Sequence, residues 1–283
     1  MRGSIPVPGP STVRYGGNTA CIQVYNNDNR IIFDAGSGIR LWGQSIDLSQ
    51  KQHVHLFVTH PHWDHINGLP FCPAIFIPGN SISIYGPRTY ELSLEDIING
   101  QMRFTYFPIR IAELKSDLTF NEISDRSTVT LDNCTIIAKK LNHPVDCLGY
   151  KLTYNNKTFI YLGDNEPYYN VYDDDDEDME TMIKEMNNDL IEFVRDADVL
   201  VTDAQYTPQE YESKVGWGHS STHHVTNMAI KANVKHLIYF HHEPNRSDDE
   251  IDLIVEHYQN LVQDKGFNLK IEAAREQSII EIV

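Results

Sequence analysis

The sequence predicts an α/β fold made of layered β-sheets with helices on the outside. Three observations lead there. The first half reads mainly as short strand-like segments joined by turns, the second half alternates strand-like segments with helical ones, and no internal repeat or Gly/Ser linker divides the two. A length of 283 residues with 41% hydrophobic content is enough for a large packed core. Residues 1–283 are therefore expected to form a single domain.

In chain order, the apolar run from Ala20 to Val24 leads through the turn cluster Asn26-Asn27-Asp28-Asn29 into a second strand from Arg30 to Asp34. Strand and turn signals continue through His53 to Thr59, Ser81 to Tyr85, Thr128 to Ala138 and Lys157 to Leu162. Between Glu177 and Arg195 the apolar positions Met182, Met186, Leu190, Ile191 and Val194 fall near helical spacing. Further helices are predicted from Ser221 to Lys231, opened by a Ser-Ser-Thr capping cluster, and from Asp248 to Gln263, opened by Ser247-Asp248-Asp249. Strand-like Val199 to Thr202 and His236 to Phe240 lie between these helices. The six acids from Asp173 to Asp178 read as a solvated loop entering a helix N-terminus, where negative charge suits the helix dipole.

Lys and Arg number 23 against 40 Asp and Glu, a formal charge of −17. That balance favours solubility and repels polyanions, so long nucleic acids begin at a disadvantage. Cys21, Cys72, Cys134 and Cys147 show no CxxC pairing and are expected to be reduced thiols. No apolar run approaches the ~20 residues that span a bilayer, and the first residues carry no signal-peptide core. A cytoplasmic protein is expected.

The segment richest in chemistry is Thr59-His60-Pro61-His62-Trp63-Asp64-His65, directly after the strand from His53. Three histidines and a carboxylate within six residues at a strand end form a dense potential metal site, because neutral imidazole and carboxylate are good ligands for divalent transition metals. A lone histidine is usually a mundane packing residue; this grouping is not. His53, His55, His223, His224, His236 and His257 lack such surroundings and read as ordinary strand or helix residues.

On these residues the chain resembles the metallo-β-lactamase superfamily, whose signature is HxHxDH after a strand. The resemblance extends in order along most of the chain. Asp34-Ala35-Gly36-Ser37-Gly38 is similar to the upstream Asp-x-Gly turn that buttresses the metal loop. Asn142-His143-Pro144 with Gly149-Tyr150 is similar to the single-histidine motif, Tyr161-Leu162-Gly163-Asp164 to the bridging-carboxylate motif, and Phe240-His241-His242 to the last strand-end histidine. The resemblance implies a four-layer αββα sandwich of two mixed sheets with helices on the outer faces. It also implies two divalent metal ions per chain, with Zn²⁺ favoured by imidazole and Mn²⁺ admitted by the carboxylates. His60, His62 and His143 would bind one ion, Asp64, His65 and His241 the other, and Asp164 would bridge them. His241 rather than His242 is assigned on strand-end register alone. Two cations roughly 3.5–4 Å apart can acidify a water and clamp both oxygens of an in-line displacement.

Gly218-His219-Ser220-Ser221, followed by an alanine-bearing helix, resembles the HST region of RNase Z-type tRNA 3′-processing endonucleases and related phosphodiesterases. There the histidine is not a metal ligand but sits over the scissile phosphate, oriented by an acid that would here be Asp203. Thr202-Asp203-Ala204-Gln205 departs from the His-Glu-Ala-Thr usual in RNase Z. No insertion resembles the tRNA-gripping arm, and the chain starts at Met1-Arg2-Gly3-Ser4, inside the Gly-Val-Arg-Gly-Ser-type segment with which relatives commonly begin, so a truncated start or a missing sheet edge is expected.

The expected function is a metal-dependent phosphodiester hydrolase, a small cyclic-nucleotide phosphodiesterase, in which Asp64, His219 and Asp203 serve the chemistry. An RNA 3′-end endonuclease and a non-catalytic metal- or ligand-binding regulatory protein are the alternatives. The expected partners are a small phosphodiester substrate and a second copy of the chain, with no long nucleic acid and no membrane. Tyr106, Phe107 and Trp217 are candidates for base stacking, with core packing as the competing explanation for each.

Overall fold

A computed structural model describes residues 1–25, 30–47, 49–170 and 176–282. The turn cluster 26–29 and the acids 173–175 lie outside the described residues. The first sheet holds β1 (Ile22–Tyr25), β2 (Arg30–Phe33), β3 (His53–Phe57), β4 (Ser81–Gly86) and β5 (Asp117–Glu122) in sequence order. β1 pairs antiparallel with β2, and the remaining pairs are parallel. α1 (Ile39–Ser45), α2 (Trp63–Ile66) and α3 (Leu94–Gln101) lie in the connections between these strands.

The second sheet begins as an antiparallel meander of β6 (Thr128–Leu131), β7 (Cys134–Lys140), β8 (Leu148–Tyr154) and β9 (Lys157–Leu162). It continues in parallel through β10 (Val199–Asp203), β11 (His236–Phe240) and β12 (Lys270–Ala273). Parallel neighbours need long crossovers. These are supplied by α4 (Glu177–Val194), by α5 (Pro208–Tyr211) with α6 (Thr222–Lys231), and by α7 (Asp248–Asp264).

Three buried clusters glue four layers. Between the sheets, Ile31, Phe33 and Phe57 of the first meet Ile136, Tyr150, Tyr161, Val201 and Phe240 of the second. The Phe33 ring lies 5.6–5.8 Å from those of Phe57, Tyr150, Phe159 and Tyr161, a spacing at which aromatic pairs add to plain burial. Outside the first sheet, Ile32, Leu56 and Ile84 pack on Ile39 and Trp42 of α1 and Leu94 and Ile98 of α3. Outside the second, Leu200 and Leu237 pack on Leu190, Val225, Ala229 and Val262 from α4, α6 and α7. The αββα sandwich of two mixed sheets is thus observed.

Local chemistry sets the helix starts. Ser221 accepts a hydrogen bond from the His224 backbone N–H, and Ser247 with Glu250 forms a reciprocal capping box. Asp176 caps α4, with Glu177, Asp178 and Glu180 in its first turn, so the described part of the acid run serves the helix N-terminus. The Thr128–Ala138 stretch divides into β6 and β7 at a tight turn where Asp132 has φ 47°. α1 and α3 interrupt the strand-rich half: both are short, and α3 shows the core only Leu94 and Ile98, too few positions for a clear helical period. No described helix is long and apolar enough to cross a membrane.

Candidate functional site

The ends of β2, β3, β9, β10 and β11 open onto one edge of the sandwich, joined there by the β7–β8 turn. From these ends come Asp34, the 59–65 loop, Asp164, Asp203, His241 and His143 respectively. Asp34 and His241 adopt left-handed backbone conformations, φ 61° and 58°, at the last turn out of their strands. Non-glycine residues tolerate that region at a cost, and such strain concentrates at functional sites.

Three overlapping groups of side chains converge, the third being Asp164, Asp203, His219 and His241. His60, His62, His143 and Asp164 form the first, and Asp64, His65, Asp164 and His241 the second, with the potential ligand atoms of each group within 4.8 Å of one another. In the first, His62 Nδ1 lies 3.0 Å from His60 Nε2 and 3.1 Å from His143 Nε2. In the second, His241 Nε2 lies 3.0 Å from Asp64 Oδ2, and His65 Nε2 lies 3.4 Å from the same oxygen. Asp164 faces both: Oδ2 is 3.4 Å from His60 Nε2, while Oδ1 is 3.3 Å from both His65 Nε2 and His241 Nε2.

Outer hydrogen bonds fix the rings. His65 Nδ1 lies 2.7 Å from Asp34 Oδ2, which also accepts from the Tyr161 hydroxyl at 2.7 Å, while Asp34 Oδ1 accepts from the Thr59 N–H at 2.7 Å. His143 Nδ1 donates to the Gly218 carbonyl at 2.9 Å, and His241 Nδ1 donates to Gln205 Oε1 at 3.0 Å. With Nδ1 engaged outward, Nε2 of these three rings is left with its lone pair directed inward, the arrangement that metal-binding histidines adopt.

The donor set fits divalent cations. Among the described residues, buried His65 Nε2 and Asp164 Oδ1 have no hydrogen-bond partner. Three imidazole nitrogens crowd one point, and buried carboxylates crowd the next. Electrostatics agrees. Burial opposes charge on Asp64 and Asp164, yet the surrounding histidines hold both carboxyls far below their ordinary range. Without an ion, Asp164, Asp64 and Asp34 outweigh burial and push the His65 pKa well above the usual value, favouring a proton that a bound cation would replace. Burial instead drives His60 well down and His143 down to about 4. Such a nest of buried negative charge calls for a positive counterpart.

His219 sits beside this cluster. Its Nδ1 lies 2.9 Å from Asp203 Oδ2, and its ring stacks on that of His241 at 5.1 Å. Burial would lower its pKa, but Asp203 and Asp164 overcome that and raise it to about 9. Asp203 is itself held by the backbone N–H groups of Gln205 at 2.9 Å and Ser220 at 3.3 Å.

The expected ligands His60, His62, Asp64, His65, His143, Asp164 and His241, with His219 and Asp203, all lie in this assembly. His242 points elsewhere, edge-on to Tyr15 at 5.9 Å. Trp217 is half exposed and immediately precedes Gly218. Phe107 packs against Phe71 and the first sheet's outer core, and Tyr106 is exposed.

Sequence reasoning missed Gln205, which holds His241, and Glu166. The buried Glu166 carboxylate accepts from the Tyr211 hydroxyl at 2.7 Å, Gly216 N–H at 2.9 Å and Gly218 N–H at 2.8 Å, so it clamps the loop that backs His143. Each stands two residues beyond a recognised acid, Asp203 or Asp164, and that spacing was the available signal. The N-terminal segment was also missed: the Ser4 backbone N–H donates to Asp64 Oδ2 at 2.7 Å.

Comparisons agree with this geometry. The family model described as beta-lactamase superfamily domain matches residues 29–242. Ribonuclease Z of Picrophilus torridus is 24% identical over 285 aligned positions, covering 93% of this chain and 89% of that protein. The short form of human tRNase Z superposes with a TM-score of 0.66 at 17% identity, over 100% of this chain and 97% of that one. Unliganded yeast PDE1 gives 0.64 at 15% identity, with 97% of each chain covered.

Proposed function

The chain belongs to the metallo-β-lactamase superfamily and is a metal-dependent hydrolase; from that premise we propose that it hydrolyses small phosphodiesters, cyclic nucleotides first among them. One observation carries the reading: the His219–Asp203 pair, 2.9 Å apart, set beside the two groups proposed to hold the ions and clustered with them through Asp164 and His241. A lactam or thioester hydrolase has no evident use for a carboxylate-oriented imidazole there. A phosphodiesterase does, because charge develops on the equatorial oxygens and the leaving oxygen needs a proton.

His60, His62 and His143 would hold one ion, and Asp64, His65 and His241 a second, with Asp164 between them. Two ions are proposed, Zn²⁺ by the imidazole count, with Mn²⁺ also suited to the carboxylates. Bound there, divalent ions supply Lewis acidity that activates water and neutralises phosphoryl charge. The chain does the rest. Asp34 and Gln205 hold His65 and His241 in register. Asp64, fixed by the Ser4 N–H, orients the attacking water. His219 donates through Nδ1 to Asp203, leaving Nε2–H to stabilise the phosphoryl oxygens and protonate the departing alkoxide. The Asp203 carboxylate favours the protonated ring.

The likeness to ribonuclease Z supports a second reading, cleavage at RNA 3′ ends. The charge of −17 weighs against it, since a polyanion gains little counterion-release affinity from such a surface. One panel decides: cyclic mononucleotides, dinucleotides and pre-tRNA, each with Zn²⁺ or Mn²⁺. Turnover of small diesters well above pre-tRNA is expected. Efficient pre-tRNA cleavage with cyclic nucleotides untouched would replace this reading with the endonuclease.

A further inference from the structure

A cavity of about 300 Å³ lies across the Tyr206 ring from His219, with Lys214, Glu243 and Asn245 among its other walls. It shares two partitions with the site. The Tyr206 ring stands edge-on to that of His219 at 6.0 Å. Gln205, which holds His241 through Oε1, donates from Nε2 to Glu243 Oε2 at 3.1 Å. The side chains of Tyr206 and Gln205 thus stand between the cavity and the histidine–aspartate cluster.

Its walls say what can enter. Arg246 is engaged by Glu210 at 2.7 Å and by the Gln205 carbonyl at 2.9 Å, and Glu250 is engaged in the α7 cap. Lys214 has no carboxylate partner among the described residues and lies 3.8 Å over the Trp217 ring. Three carboxylates, Glu210, Glu243 and Glu250, line the space against two cations, so a second phosphate is repelled. Glu243 offers an acceptor, and Lys214 and the Tyr206 hydroxyl offer donors. The volume stands at the lower end of the ~300–1,000 Å³ typical of small-molecule sites. One nucleoside-sized group fits, and an extended strand does not.

Resting on the phosphodiesterase reading above, we propose that this cavity is the subsite for the uncharged nucleoside portion of a small phosphodiester. Glu243 accepts from a ribose hydroxyl or exocyclic amine, and Lys214 and Tyr206 donate to ring or carbonyl acceptors.

The test has a binding arm and a kinetic arm, both on the full-length, metal-loaded protein. Adenosine, guanosine, cytidine and uridine, which carry no phosphate, are titrated calorimetrically into wild type, Lys214→Ala and Glu243→Gln. At least one nucleoside is expected to bind wild type, with each variant weaker by roughly tenfold or more, the loss typical of a hydrogen bond to a charged group. Kinetically, the ratio of kcat/KM for thymidine 5′-(p-nitrophenyl phosphate) over bis(p-nitrophenyl) phosphate should fall by a similar factor in Lys214→Ala, chiefly through KM. Absence of nucleoside binding, or equal binding to all three proteins, overturns the subsite. So does hydrolysis of both diesters with an unchanged ratio, which leaves the phosphodiesterase reading intact. Lys214-dependent nucleoside binding without hydrolysis of either diester supports the subsite and overturns the catalytic reading.

Discussion

Replacing Gly218 by alanine tests whether the loop behind His143 sets the geometry of the metal-ligand cluster. Gly218 has φ +83°, a region that costs an L-residue roughly 1–2 kcal/mol. Its added Cβ would lie 2.5 Å from Pro144 Cδ and 2.9 Å from His143 Cε1, and closer still to His143 Nδ1, where ordinary contact begins at 3.4 Å. Something must therefore withdraw by about 1 Å. The loop is pinned from behind by Glu166 through Gly216, Gly218 and Tyr211, so the displacement falls on His143 and its bond to the Gly218 carbonyl. Disturbing a ligand's outer hydrogen bond costs ~10–100-fold in metal affinity. A misplacement of ~1 Å costs on the order of 10²-fold in rate, about 2.7 kcal/mol of barrier. Competition of the loaded enzyme against a chromogenic chelator gives the affinity, and saturating-metal kinetics gives kcat. Gly216→Ala is the control: it carries the same backbone strain at φ +89°, but among the described residues its Cβ meets only the Tyr169 hydroxyl, at 3.1 Å. If Gly218→Ala matches Gly216→Ala in both measurements, the loop does not govern His143.

Other outcomes follow from the same geometry. His219→Ala should cut kcat by ~10²–10⁴-fold at unchanged metal content, as for a lost general acid, with a smaller loss in Asp203→Asn; loss of metal from His219→Ala would place that ring among the ligands. Elemental analysis should find close to two transition-metal ions per wild-type chain and a marked deficit in Asp164→Ala, whose carboxylate faces both groups; full occupancy in that variant would refute the bridging role. Arg2 is fully buried and donates to the Gly16 and Arg246 carbonyls and to Asp248. Arg2→Ala removes the ion-pair partner of Asp248, leaving it the Arg14 N–H, and should cost ~3–5 kcal/mol in denaturant unfolding, a result that a loss below ~1 kcal/mol would contradict. His55, buried with an unpartnered Nδ1, has its pKa lowered to about 4 by burial and by His53. Between about 4 and the ordinary 6.5 the unfolded chain therefore binds the extra proton, and stability falls as pH drops through that window. His55→Phe should flatten the fall in thermal midpoint from pH 7 to pH 4.5, and an identical slope in both proteins would rule His55 out.

Much of this architecture is legible in the chain because the site sits at strand ends. A strand such as β3 announces itself by apolar residues, and the polar cluster 59–65 directly after it can only be a turn at the sheet edge. His241 could be ranked above His242 by register, and the structure turns His241 inward through its left-handed backbone while His242 packs on Tyr15. What stayed hidden depends on long-range contact. Glu166 reads as one more acid in an acidic chain until 50 residues of intervening sequence return Gly216 to it. Met1 to Ser4 reads as a loose end, yet the Gly3 N–H donates to the His242 carbonyl at 3.0 Å and Ser4 reaches Asp64. β5, with alternating polar residues at a sheet edge, and the short α1 and α3 carry too little periodicity to be seen.

The division of the cluster between the two sheets has a consequence for folding. His60, His62, Asp64 and His65 hang from the first sheet, while His143, Asp164 and His241 hang from the second. Ions held between them, as proposed, would act as rivets through the sandwich, in line with the aromatic seam beneath. A rivet of this kind binds the native state and has almost nothing to grip in the open chain, so each bound ion adds stability as the logarithm of its free concentration over its dissociation constant. Chelation then loosens the joint between the layers as well as silencing the chemistry.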